Sequence, residues 1–436
     1  MAPPQPVSRR SLLGAAAVTG LSGAVALGRR SRAQEQARET VSVLTATPPD
    51  PVPPGADTYY EALVQAWERR NDARVLSESA AIPNIAAKLQ LNFQAGRHVY
   101  DVVYSAGWLP EISPHVLPLD DLIPSALRAD IPPSSFNAAR WGGATYGLPY
   151  SANLLILYVN TAMLAAVGIK EPPATWDALL GAARELTRDG VAGLGLPVGQ
   201  LEGIGGLCSH WVVLLQQAGG RLLDARGRPA FVDEAGVDAL QLLVDLAPSV
   251  DPTAPADRFV DDVVVGFMGG RTAMMMGWAS AYPLLVDPTL SSVPDHVGMA
   301  TLPAGPAGSA SIDAADAWAI ASRSWVAGKA MSLLELYLDP RAQRQLCLTT
   351  GALPVRLSVL EDPDVIAAAP QAAVVREQMR SPYDNFLAPN YAVLTAVVGG
   401  EIAAAMGGEK EPARALRDAA TTLRGLGRDL GAVGLS

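Results

Sequence analysis

Cysteine and histidine are scarce in this chain, and most metal and nucleophile chemistry goes with them. There are 2 cysteines, Cys208 and Cys347, with no CxxC pair and no metal spacing, so neither a zinc cluster nor a disulfide framework can be read. Free, buried thiols are the expectation for both. The 4 histidines, His98, His115, His210 and His296, are equally unpatterned, and His210 beside Trp211 reads as a satisfied core histidine. HExxH, a phosphate loop and a GxSxG elbow are all missing, so neither a metal nor a cofactor is expected. Carboxylates are plentiful but scattered, and nothing selects two of them as a glycosidase pair. An enzyme is therefore not the first expectation.

Positive charge is thin as well. Lysine stands only at positions 88, 170, 329 and 410. Setting aside the five arginines of the first thirty-three residues moves the formal net charge from −10 to about −15. That balance argues against nucleic acid and anionic membrane surfaces, and for a soluble, freely diffusing protein, expected to be a monomer. The apolar stretch Leu12 to Leu27 is rich in Gly and Ala, too short and too soft to span a bilayer. It follows Ser8-Arg9-Arg10-Ser11-Leu12-Leu13, which resembles the twin-arginine export motif apart from Leu12 and Gly14. Ser31-Arg32-Ala33 then offers small residues where a signal peptidase needs them. Residues 1–33 are thus expected to be a signal peptide and the mature chain periplasmic. No cysteine follows the apolar stretch, so lipid anchoring is not expected.

What is present is a long, aliphatic chain. At 436 residues and 49% hydrophobic, it can fill two or three domains, or one large bilobal one. Its most legible stretch runs from Tyr146 to Thr187. Leu154 to Val159 is an unbroken apolar run, the mark of a strand buried on both faces. Asn160 can cap a brief helix that Gly168 ends. Pro172 and Pro173 block continuation, Thr175 caps a second helix, and Leu179, Leu180, Ala183 and Leu186 form its apolar stripe. Elsewhere, Val41 to Thr45, Val75 to Glu78 and Asp101 to Ser105 read as strands, and Tyr59 to Arg70 and Asn84 to Gln94 as helices. Ligands gather at the carboxyl ends of strands in open α/β sheets, which singles out Trp108, just past Ser105. A core tryptophan is the other reading of that residue.

The central block resembles the family 1 extracellular solute-binding proteins, the carbohydrate receptors of ABC importers. The matching residues are Tyr146-Gly147-Leu148-Pro149-Tyr150, Leu157-Tyr158-Val159-Asn160, and Gly168-Ile169 with Pro172-Pro173-Ala174-Thr175-Trp176-Asp177. Further pieces are Gly270 to Trp278, and Thr350-Gly351-Ala352-Leu353-Pro354-Val355-Arg356. The resemblance implies an α/β fold, a type II periplasmic binding protein with two α/β lobes joined by a multi-crossing hinge. Lobe 1 would be residues 40–148 and 309–352, and lobe 2 residues 149–308 and 353–436. The crossings would fall near Gly147-Leu148-Pro149, Pro306-Ala307-Gly308 and Leu353-Pro354. Cys208 and Cys347 would then sit on different lobes.

A pyranose has one apolar face of C–H groups and a rim of hydroxyls, so aromatic planes with polar neighbours are its natural partners. The candidate ligand-binding residues are therefore Trp108, Tyr150, Asn153, Trp278, Tyr282, Trp318 and Tyr391. Trp278 is where many members of the family put a cleft-facing aromatic. Asp316 and Trp318 stand where the family has glycines, which makes them a departure. Asp50 and Asp57 border the cleft by the same resemblance, with solvated loop carboxylates as the alternative. The implied function is capture of a neutral, small-molecule carbohydrate or polyol and delivery to an ABC permease. An exported glycan-active enzyme and a ligand sensor for a membrane kinase are the competing readings.

Overall fold

The structure is a computed structural model. It describes residues 39–45, 59–80, 82–97, 99–105, 108–197, 206–250, 260–312, 315–381 and 391–429. The expected signal peptide, Asp50, Asp57 and His98 lie outside the described residues.

The described strands, in chain order, are β1 (Glu39–Thr45), β2 (Ala73–Ser79), β3 (Val102–Ser105), β4 (Arg140–Trp141), β5 (Ala144–Thr145), β6 (Leu148–Pro149), β7 (Leu155–Asn160), β8 (Met274–Trp278), β9 (Val297–Ala300) and β10 (Ala317–Ile320). Five of them make one sheet in the order β2-β1-β3-β10-β6. β1 and β3 run parallel, with Val43 opposite Val102. β10 is antiparallel to both its neighbours, pairing Ala317 with Ser105 on one side and with Pro149 on the other. Trp67, Ile85, Leu89, Leu109, Ile320 and Leu334 pack a single core around this sheet. β4 and β5 form a hairpin whose turn residues, Gly142 and Gly143, take φ of 57° and 88°. Two successive positive φ values are what a tight hairpin turn matching the strand twist requires.

The second sheet is antiparallel, in the order β8-β7-β9. Helices cover both of its faces, which is why the central strand reads as an unbroken apolar run. Leu155, Leu157 and Val159 point into a core with Trp211, Leu214, Phe231, Ile402 and Leu416. Leu154, Ile156 and Tyr158 point the other way, against Phe267, Leu285, Val359 and Val375. The three consecutive methionines divide in the same manner, Met274 and Met276 to one core and Met275 to the other.

Local signals act as the sequence suggests. The Asn160 side chain accepts from Met163 N–H at the start of helix Thr161–Ala166, and Gly168 follows that helix at φ 81°. Thr175 caps helix Trp176–Leu186 by accepting from Ala178 N–H. Leu179, Ala183 and Leu186 on that helix are buried, and Leu180 is half-buried. Gly147 has a packing reason: a Cβ there would lie 3.0 Å from Ser105 Oγ and 3.2 Å from Ala317 Cβ. A side chain there would crowd β3 and β10, so glycine suits their close approach over this part of the chain.

The crossings lie a few residues from where the sequence suggests. Leu148 and Pro149 are still strand β6 of the first sheet, and the chain changes sides over Tyr150 to Asn153. Pro306-Ala307-Gly308 is a turn, not a crossing. Gly308 N–H donates to Gly305 O, Ala307 N–H donates to Gln217 O, and Ile312 is still packed in the core beneath β7. Ile312 is thus still with the second sheet, while Ala317 already belongs to β10 of the first. Cys347 also departs from expectation. Its side chain packs with Ile156 and Met275, so Cys208 and Cys347 lie in the cores on the two faces of the same three-stranded sheet. Both thiols are free and buried. Burial pushes Cys208 up to about 12 and Cys347 up to about 11, which keeps both thiols protonated and poorly nucleophilic near neutrality.

Candidate ligand-binding site

The first aromatic group gathers at the carboxyl end of β3. Tyr104 is the last-but-one residue of that strand, and Trp108 stands at the N-terminus of the short helix Leu109–Ile112. Their rings are 5.7 Å apart and tilted by 49°. Trp108 is half-buried against the first core, and its Nε1–H is buried with no acceptor among the described residues. On the neighbouring strands Tyr150 stacks on Trp318, with centroids 3.9 Å apart and planes 16° from parallel. Trp318 is only 2% exposed and lies beneath Tyr150, backed in turn by Tyr337. Its position is that of a support for Tyr150.

The second group forms around the end of β8. Trp278 is half-buried, pairs with Leu155 across β7–β8, and its carbonyl accepts from Tyr158 Oη at 3.1 Å. Asn153 reaches the turn that follows, its Oδ1 accepting from Ser280 N–H at 3.3 Å. Tyr282, half-buried, begins the next short helix. Asn153, Trp278 and Tyr282 are thus brought together, and the crossing Tyr150–Asn153 connects them to the first group. Tyr391 is elsewhere. It is buried in the helical core, 3.4 Å from Ser209 Oγ through its hydroxyl.

Sequence reading passed over the polar knot that links the crossings. Asp316 accepts from Tyr104 Oη through one carboxylate oxygen and from Ser151 Oγ at 3.0 Å through the other. Its backbone carbonyl accepts from Tyr150 N–H at 2.9 Å. Gln343, buried on helix Pro340–Thr350, donates to Tyr150 O at 2.7 Å and accepts from Val355 N–H at 2.9 Å. Ser151 also bridges Pro354, and Ala152 N–H donates to Leu353 O. All three crossings are therefore fastened to one another within a few residues. The signal available beforehand was the acid at 316, singled out above as a departure from the family resemblance. A carboxyl so enclosed is costly to ionise, and burial pushes Asp316 above the usual carboxylate range despite the hydrogen bonds from Tyr104 and Ser151 that oppose it.

Two α/β lobes, a parallel-containing sheet in one, and three crossings knotted at the base are the build of a type II periplasmic binding protein. The chain belongs to the bacterial extracellular solute-binding proteins, whose family pattern matches residues 52–344. It is a solute-binding protein of the ABC transporter class. A probable amino-acid ABC transporter periplasmic-binding protein of Sinorhizobium fredii is 29% identical over 300 residues, covering 66% of this chain and 67% of that one. Among solved structures, maltose-bound MalE3 of T. maritima superposes with a TM-score of 0.73 at 21% identity, over 89% of this chain and 99% of that one. The cyclic α-maltosyl-1,6-maltose binding protein of Arthrobacter globiformis gives a TM-score of 0.74 at 24% identity, over 88% and 97%. At such identities the structures speak for the fold, not for the ligand.

Proposed function

We propose that this chain is an exported receptor that closes over a small, neutral, polyhydroxylated solute, a sugar or polyol, and presents it to an ABC permease. The observation that carries this reading is the pair of aromatic groups on either side of one crossing. Trp108 and Tyr150 would supply one apolar wall and Trp278 and Tyr282 the other. Asn153 would supply a polar contact for the hydroxyl rim. Aromatic faces bury the C–H face of a sugar, and amides hydrogen-bond its edge. The two structural relatives are named for solutes of this class, maltose and cyclic α-maltosyl-1,6-maltose, but the reading for this chain rests on its own aromatic groups. Domain closure about a multi-strand hinge is the motion that such a receptor needs, and the reading requires no catalysis.

The test is ligand identification. Native mass spectrometry of protein purified from its own cells, followed by calorimetry with maltose, ribitol and mannitol, should show one neutral saccharide or polyol bound at a Kd of about 1 μM or tighter, roughly −8 kcal/mol. Retention of an amino acid instead, in line with the name of the Sinorhizobium relative, would sink the carbohydrate reading.

Export by the twin-arginine route belongs to the same proposal. Changing Arg9 and Arg10 to lysine should strand the precursor in the cytoplasm, scored by fractionation. Unchanged export of the double variant would make the motif accidental.

A further inference from the structure

Asp316 is the one acid of the described crossings whose carboxylate ties a strand of the first sheet to the first crossing, and it has no ion-pair partner among the described residues. We propose that Asp316 is the positioning residue of the binding site: by holding the Tyr104 and Ser151 hydroxyls and the Tyr150 N–H at once, it sets the aromatic wall of Trp108 and Tyr150 against the hinge. The inference rests on the receptor reading above and adds a residue that acts through others, not one that touches solute.

The geometry argues for this in three steps. A carboxylate accepts only, so both of its oxygens can take hydroxyl donors, here Tyr104 and Ser151. Those two hydroxyls come from separate stretches, β3 and the first crossing, while the Asp316 carbonyl receives the N–H of Tyr150. The rings in question are coupled by contact: Tyr104 lies against Trp108, and Tyr150 lies on Trp318. Moving Asp316 therefore moves one ring of each pair. Gly or Ala at this position would leave Tyr104 and Ser151 to find other acceptors.

Charge provides the discriminating readout. Among the described residues the titratable group that meets the Asp316 carboxylate is Tyr104 from β3, which is itself coupled to Tyr150 of the first crossing; Ser151, the other donor, and Gln343, which meets the crossing from helix Pro340–Thr350, are uncharged. Among the described residues no cation pairs with the carboxylate, and burial raises its pKa. The folded protein then holds that proton more tightly than the unfolded chain does. Ionised Asp316 thus subtracts from stability at neutral pH, and the deficit is relieved as pH falls through the raised folded value. Its positioning role has the opposite sign. A protonated carboxyl carries a hydrogen of its own and is a weaker, neutral acceptor for the two hydroxyls, so their hold slackens and the wall loosens as pH falls.

The experiment compares wild type with Asp316→Asn, Tyr104→Phe and the double variant. Tryptophan emission of the ligand-free protein is followed between about pH 4 and 8, and maltose is titrated by calorimetry. Wild type should show an emission transition above the ordinary carboxylate range that Asp316→Asn lacks. Asp316→Asn should melt at the same or a higher temperature at neutral pH, yet bind maltose roughly tenfold more weakly. Tyr104→Phe should weaken binding similarly, and the double variant little further, because one contact is broken twice. Identical emission profiles for wild type and Asp316→Asn overturn the proposal, as does full additivity of the two changes. If wild type binds no saccharide at all, the receptor reading fails, while the emission titration still decides the role of Asp316.

Discussion

Trp278→Ala is expected to weaken saccharide binding ten- to a hundredfold while leaving the protein folded. The ring stands at the end of β8, half-buried, where the strand stops and its face can meet a solute. An aromatic face that buries a sugar's apolar side removes area worth about 1–3 kcal/mol at roughly 25 cal/mol per Å², and about 1.4 kcal/mol is a factor of ten in affinity. Trp211 is the internal comparison. It is 0% exposed and meets Phe231 edge-on, with ring centroids 5.4 Å apart at 88°. Trp211→Ala should cost about 3–5 kcal/mol of stability, the range for emptying a packed aromatic site. Trp108 stands between the two, half-exposed but with its Nε1–H buried. For that residue Trp108→Phe is the informative change, since it keeps an aromatic ring in place while removing the orphaned donor together with part of the ring face. Melting curves and ligand titrations on the same preparations separate these roles. Should Trp278→Ala melt as early as Trp211→Ala while its folded fraction binds ligand as before, the ring at 278 is structural and the wall must be sought elsewhere.

Features written locally were legible in the sequence; features written across long separations were not. The buried strand β7, the caps at Asn160 and Thr175 and the stop at Gly168 depend on residues within a few positions, and all are where their chemistry puts them. Trp108 was singled out from a strand end, which is again local information, and Trp278 from the resemblance of Gly270 to Trp278 to the family pattern. The second crossing was misplaced because Pro306-Ala307-Gly308 has the composition of a linker. Whether a Gly/Pro turn joins lobes or decorates one depends on what Gln217 and the core beneath β7 do with it. Asp316 and Tyr104 are separated by 212 residues, and Ser151 and Asp316 by 165. No period or spacing encodes such pairs. Tyr391 shows the reverse error: an aromatic beside a loop in sequence is, in the fold, a helix residue buried against Ser209.

Arg356→Ala is expected to destabilise the protein by about 2–3 kcal/mol, because it removes the fastening of the third crossing and strands an acid. Arg356 Nε donates to Asp130 Oδ2 at 2.7 Å, and Nη1 donates to Leu338 O at 2.8 Å. Asp130 also accepts from Ser358 N–H and Ser358 Oγ, and its own carbonyl accepts from Leu357 N–H. The charged side chains are 17% and 19% exposed, so the pair is partly shielded from water, and the loss should fall below the roughly 3–5 kcal/mol of a fully buried pair. Burial alone would raise the Asp130 pKa, but the hydrogen bonds from Ser358 and Arg356 outweigh it and hold the carboxyl below its ordinary value. A depressed folded pKa means that this contribution is complete above the unfolded carboxylate value, about 3.9, and is lost as pH falls through the folded one. Denaturation of wild type, Arg356→Ala, Asp130→Asn and the double variant near pH 7 should therefore give a coupling well above the ~0–1 kcal/mol of an exposed pair. Below the ordinary carboxylate value that coupling should shrink, as the unfolded chain and then folded Asp130 take up the proton. A coupling near zero at neutral pH, or one that does not change on acidification, would mean that the crossing is held by the backbone bridges and Gln343 alone.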